Sequence, residues 1–429
     1  MLVLRGSLPG HGAVRAIPGL AAAVVAGGCS PPSGPVPAPG QPVYVGEATI
    51  DPATGSVAAQ FTIRFVTDTS MTDGVAFLLN GRLDISRFDG DGVRSVGERP
   101  WNAGGDWKQI DVAWSEPAPA GELRELHVAY GGVLFDSLPS DPINSIRHDW
   151  IELGLDAAWH PVFASFDQAL IGELMLHIPA TWAVVASGDV TRGNGAYRIR
   201  STVPQVDFAF AAGPGLKRVG SVDVAVYHTD AQPATVEKLV NVTRACREWL
   251  TLRFGELPDL KLLLAPRNDG GYARKNYVVL TRVEEYPPPV LSRFVCHELA
   301  HYWSSAASPS TADYWMTEAF AELTSARHVR DVYGDTAYAT ILEQWREQSE
   351  GLPAVWTDTA TARPPFRISY RKAPLILAEF ESEIGAEAFA SLLRRYMTES
   401  TRTTRQLLGQ VERVGGADAR HSLEAALAR

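Results

Sequence analysis

The sequence predicts an α+β chain, with a β-sandwich or open β-saddle over residues 43–219 and an α/β unit with a mainly helical lower half over 220–429. Short apolar runs of alternating polarity, broken often by turn residues, fill the first stretch. At Ala234 the pattern changes to a helical period, and beyond Pro289 nearly every segment keeps it. Strands first and helices afterwards describe this arrangement.

The N-terminus precedes the fold. Arg5 and Arg15 stand before the small, apolar run Ala16–Val25, which ends at Ala26-Gly27-Gly28-Cys29. Basic residues, a short apolar stretch and small residues before a cut site make an export signal over residues 1–29. The run is too short and too interrupted to span a membrane. Small residues before a cysteine also resemble a bacterial lipobox, in which Cys29 becomes the lipidated first residue and anchors the protein to a membrane. A plain cleaved signal is the alternative. Either way the expected location is outside the cytosol, periplasmic or membrane-anchored. Residues 30–42, rich in Pro and Gly, form an extended spacer.

In the β domain the runs Val57–Phe65, Glu122–Tyr130 and Gly172–Ile178 alternate as half-buried strands do. Ala234–Phe254 then places Val236, Leu239, Val240, Cys246, Trp249 and Leu250 on one helical face. Leu260–Leu264 and Tyr277–Leu280 read as strands. Further helices are expected over 289–305, 314–332, 336–349, 370–383, 386–399, 403–413 and 418–428.

The formal net charge is −10 with no long run of either sign, so nucleic acid and anionic lipid are poor partners. Cys246 and Cys296 fall in helical patterns and read as buried small hydrophobes rather than ligands. In an oxidising compartment they could also pair, but the sequence does not give their separation.

Cys296-His297-Glu298-Leu299-Ala300-His301-Tyr302-Trp303 contains HExxH. Histidines four apart on a helix present both imidazoles to one point, and Glu298 beside them is placed to hold a water that a metal polarises. Two neutral histidines and one carboxylate leave an open position on zinc, one ion per chain. The third ligand should come from a second helix packed on the first. Glu318, inside the apolar Trp315–Glu322 segment, is the candidate, and the turn Ser308–Thr311 brings that helix back. Glu322, one turn on, either orients a zinc-binding histidine or lies on a solvated face. His148, His160 and His328 lack ligand spacing and read as ordinary surface or core histidines.

HELAHYW followed by WMTEAFA resembles the gluzincin zinc aminopeptidases of the aminopeptidase N and leukotriene A4 hydrolase type, whose pattern is HELAHxW and then WLNEGFA. The spacer here is shorter, and Thr317 and Ala319 replace the usual Asn and Gly. Asp156–Pro161 and Ile178–Gly188 look like that family's N-terminal β-saddle, and Ser369–Ala373 resembles its YxKG element. The resemblance implies a thermolysin-like catalytic domain over 220–429, peptide substrates, zinc on His297, His301 and Glu318, a general base at Glu298, and an oxyanion donor at Tyr370. Few residues follow Gly415, so the expectation is a short form without the family's C-terminal helical domain and with a more open cleft.

The family's GxMEN motif, whose glutamate holds the substrate's free α-ammonium, is altered here. Gly270-Gly271-Tyr272-Ala273-Arg274-Lys275-Asn276 puts Arg274 or Lys275 where the family has an anion. Gly271, Arg274 and Lys275 are therefore the candidate substrate-binding residues, with the free-amine preference in doubt. Two other readings stand beside the peptidase: a zinc-stabilised binding lipoprotein without catalysis, and a hydrolase of a non-peptide substrate.

Overall fold

Alternating polarity in the first half produces strands that bury one face each, as in Val43–Asp51 and Ser56–Val66. The structure, a computed structural model, describes residues 35–101, 106–135, 143–268, 270–304, 306–308 and 310–429. The export segment, Cys29 and the start of the spacer lie outside the described residues. Among the described residues no helix is long and apolar enough to cross a membrane.

A seven-stranded sheet runs from Asp189–Gly193 through Ala196–Gln205, Leu170–His177, Val43–Asp51, Ser56–Val66 and Leu123–Val133 to Asp84–Gly90. Two four-stranded sheets pack with it. One apolar core joins all three, with Phe61 and Phe65 from the first, Phe77 and Ile110 from the second, and Ile151 and Phe210 from the third. Sandwich and saddle merge in this arrangement.

The second half is built on a five-stranded sheet ordered Lys217–Gly220, Val224–His228, Leu260–Leu264, Tyr277–Leu280 and Tyr272–Arg274. The three inner strands are parallel, and both edges are antiparallel. Lys217–Gly220 straddles the boundary expected at residue 219 and belongs to this sheet. Seven α-helices follow or cross over it among the described residues: α1 (Pro233–Phe254), α2 (Pro288–Ala300), α3 (Trp315–Tyr333), α4 (Asp335–Ser349), α5 (Ala373–Ile384), α6 (Ala386–Thr398) and α7 (Thr404–Leu427). Helix α2 starts on Pro287, Pro288 and Pro289, where the first turn has no use for their missing N–H groups. It stops at Ala300 rather than near residue 305. The segments expected at 403–413 and 418–428 form one element broken at Gly416, which has φ 83°.

The two halves are joined through a third apolar cluster. Trp150, Val185, Ala209 and Ala211 come from the β domain, and Leu263, Ala265, Tyr277 and Val279 from the five-stranded sheet. Two buried ion pairs cross the same boundary. Arg267 clamps Glu152 with hydrogen bonds of 3.0 and 2.8 Å, and Arg274 Nε donates to Asp207 at 2.8 Å. Both arginines flank the edge strand Tyr272–Arg274, so the β domain fixes the position of that strand.

Cys246 and Cys296 do more than pack. They form a disulfide that ties α1 to α2, with Cα atoms 5.7 Å apart across 50 residues of sequence. Closing a loop of that length in the unfolded chain stabilises the fold by about 4 kcal/mol on the chain-entropy model. Disulfides form and persist in oxidising surroundings.

His160 and His328 are buried, while His148 is exposed. His328 on α3 lies 2.9 Å from Ser292 Oγ and stands edge-on to Trp249. Burial pushes its imidazole down from 6.5 to about 4. Below pH 6.5 the unfolded chain therefore takes up a proton that the folded chain refuses. Stability present above pH 6.5 should be lost as pH falls towards 4, by roughly 3 kcal/mol in total from this group. Urea unfolding at pH 7.0 and 4.5 measures the loss, and His328→Asn should flatten it. An equal slope in the variant would assign the acid sensitivity to other groups.

Candidate metal centre and active-site cleft

The last turn of α2 carries His297 and Glu298, and His301 caps the helix with helical backbone angles, so the four-residue spacing still aligns both imidazoles. Helix α3 packs against α2 and brings Glu318 into the same point from its first turn. A short turn at Ala312–Tyr314 precedes α3, and Trp315 anchors it by donating to Thr404 on α7 at 3.0 Å. The disulfide at Cys296 pins α2 one residue before His297.

His297 Nε2 and His301 Nε2 are 3.1 Å apart, and each lies 3.4 Å from Glu318 Oε2. Four-coordinate zinc holds N and O ligands at about 2.0–2.1 Å, which spaces neighbouring ligand atoms by about 3.3 Å. Glu318 Oε2 is buried without a hydrogen-bond partner. A carboxylate oxygen so placed needs a cation. Its other oxygen, Oε1, accepts from Tyr314 Oη at 2.6 Å, which fixes the rotation of the carboxylate. The donor set and its spacing fit zinc.

The charges around this point say the same. Burial opposes a proton on His297, but hydrogen bonding to Glu318 and the charges of Glu322 and Glu298 outweigh it and push the imidazole up to about 9. Burial would raise the Glu318 carboxyl, yet His301 and His297 hold it well below the usual carboxylate range. The cluster keeps positive charge at its centre whether as protons or as a metal. Burial pushes the Glu298 carboxyl up, and His297 and His301 partly offset this. A base so raised is closer to the pH at which it works.

Glu322 is buried rather than solvated. Arg293 donates to it at 2.6 Å and Arg371 at 3.2 Å, and its Oε1 lies 3.7 Å from His297 Nδ1. Tyr370 sits on a π-helical turn, Ile368–Lys372, ahead of α5, where regular helix was expected from residue 370. Its ring stacks on His297 with centroids 5.6 Å apart and on Phe366 at 4.2 Å. Burial first, then the negative charge of Glu318, raises the Tyr370 hydroxyl far above the ordinary phenol range, so it keeps its proton and remains a donor.

These groups line one cavity of about 730 Å³ between the β domain and the helices. Gly271, Arg274 and Lys275 are on its wall. Gly271 is required for packing: a Cβ there would stand 2.6 Å from the Val279 carbonyl oxygen and 2.8 Å from the Phe294 ring. Arg274, a cation where the resembling family has an anion, is paired with the buried carboxylate of Asp207. Lys275 holds the left-handed conformation, φ 56°, in the tight turn after the edge strand, with Nζ 3.4 Å from the Tyr302 carbonyl oxygen.

Sequence reasoning missed Tyr314, Asp207, Arg293 and Phe366. Tyr314 carried a usable signal, since it lies four residues before Glu318 and thus on the same face. Asp207 carried a weaker one, a lone acid beside the apolar run Phe208–Ala212.

No family model matches the chain, and no curated protein matches it in sequence. Solved structures do match in fold. An M1 zinc metallopeptidase from Deinococcus radiodurans superposes with a TM-score of 0.70 over 90% of this chain and 93% of its own, at 19% identity. A single-residue variant of the Deinococcus radiodurans enzyme, bound to a Tyr-Ser-Ala substrate, gives 0.67 at 18% identity, again over 90% and 93%. Yeast LTA4 hydrolase gives 0.71 at 15% identity over 90% of this chain and 66% of its own. The fold of this chain is that of the M1 zinc metallopeptidases and LTA4 hydrolase.

Proposed function

We propose that this chain is a zinc metallopeptidase that hydrolyses peptide bonds with water. One observation carries the proposal: the ligand triangle of His297, His301 and Glu318 shares a cavity with a buried carboxylate, Glu298, and a protonated phenol, Tyr370. The likeness in fold to a metallopeptidase that binds a tripeptide supports it. A binding protein that needed only the metal would have no use for Glu298 or Tyr370.

His297, His301 and Glu318 would hold the zinc, which would supply a Lewis acid for a carbonyl oxygen and lower the pKa of water. Glu298 takes a proton from the attacking water and passes it to the leaving amine. Tyr370 donates its hydrogen bond to the carbonyl oxygen as that oxygen gains charge. Tyr314 holds the Glu318 carboxylate in one rotation, and Glu322, itself fixed by Arg293 and Arg371, sets its charge 3.7 Å from His297 Nδ1.

The test is hydrolysis of a peptide library, lost on chelation and restored by zinc. Tyr370→Phe should lower kcat by about 10²–10³-fold and leave KM nearly unchanged, since the bond forms in the transition state. A fully active Tyr370→Phe protein would remove that residue from the mechanism. Zinc-loaded protein that cleaves no peptide would overturn the peptidase reading.

A further inference from the structure

We infer that the cleft selects peptides with no α-ammonium on the residue whose carbonyl is attacked, that is, interior or N-acylated bonds. The inference rests on the peptidase reading above. An ammonium group leaving water needs a carboxylate to receive it. Among the described residues three carboxylates line the cavity, Glu298, Glu318 and Glu322, and the last two are already paired. Glu318 gives one oxygen to the ligand triangle and the other to Tyr314. Glu322 is shared between two arginines. Glu298 lies against the ligand histidines, and an ammonium that claimed it would take the base away from water.

Four cations stand on the same wall: Arg274, Lys275, Arg293 and Arg371. Asp207, fully buried, pairs with Arg274, whose side chain keeps 17% exposure, and the charge of Asp156 also acts on that guanidinium. Arg274 lines the same cavity as Glu298 and Tyr314. Lys275 follows it in the turn. Asp207 offsets one of these cations, so it is a divalent ion that would make the reacting side of the cavity positive.

One peptide, prepared with a free and with an acetylated N-terminus and cleavable at its first bond, tests this in the zinc-loaded protein. We expect kcat/KM to favour the acetylated form by at least about tenfold, the effect of roughly 1.4 kcal/mol of differential interaction. The same pair with the scissile amide N-methylated binds without cleavage, and calorimetry should show the same order. Lys275→Glu should narrow or reverse the ratio, and an unchanged ratio would overturn the part given to Lys275. Equal or better use of the free amine by the unmodified protein overturns the inference. Selective binding of the acetylated form without cleavage of either peptide would overturn the peptidase reading and leave the selectivity standing. Cleavage without selectivity would do the reverse.

Discussion

Glu298→Gln should retain one zinc per chain and lower kcat by about 10²–10⁴-fold, the range that a positioned general base contributes. The amide keeps the shape of the side chain but cannot take a proton from water. The Glu298 charge lies close enough to act on His297, and the same charge attracts a divalent ion, so the variant should keep one zinc per chain at saturating metal with no gain in affinity. Metal content per chain, measured beside steady-state hydrolysis of one good library peptide, separates the two effects. A variant that keeps zinc and full turnover would move the base elsewhere, and one that loses both would make Glu298 a structural member of the cluster.

The features that sequence could carry are those set by local period. His297 and His301 are readable because a helix brings residues four apart onto one face, and the apolar setting of Glu318 marks it as buried. Tyr370 was legible only through resemblance, because it stands on a π-helical turn that no 3.6-residue period describes. The partners that set charge in the cleft are distant in sequence. Asp207 reaches Arg274 across 67 residues, and Glu152 reaches Arg267 across 115. Glu152 looks like a single exception in an apolar strand, and Asp207 like a lone acid between two strands, until the sheets are assembled. The pairing of Arg274 was invisible in the sequence for that reason. Cys246 and Cys296 were ambiguous for the same one: each fits a helix face alone, and only the packing of α1 on α2 brings them together.

Glu318→Ala should reduce bound zinc from one per chain to near none at micromolar metal, with activity lost alongside. The loss exceeds what removal of an orienting residue brings, which is about 10–100-fold in metal affinity and is the expectation for Glu322→Gln. Three consequences combine in Glu318→Ala. The ligand triangle loses its carboxylate and leaves two imidazoles 3.1 Å apart, one donor short of the three that hold the ion. Tyr314 loses the acceptor at 2.6 Å that holds its hydroxyl. Glu322 cannot take over, because Arg293 and Arg371 hold both of its oxygens on the Nδ1 side of His297. Competition with a chromophoric chelator gives the affinities of parent, Glu318→Ala and Glu322→Gln on one scale. Far-ultraviolet circular dichroism controls for folding, which the buried Trp315 anchor and the Cys296 disulfide should maintain without the metal. Unchanged zinc stoichiometry in folded Glu318→Ala would place the third ligand on another side chain and undo the site as drawn. A graded series, with Glu322→Gln between parent and Glu318→Ala, is the result that the geometry requires.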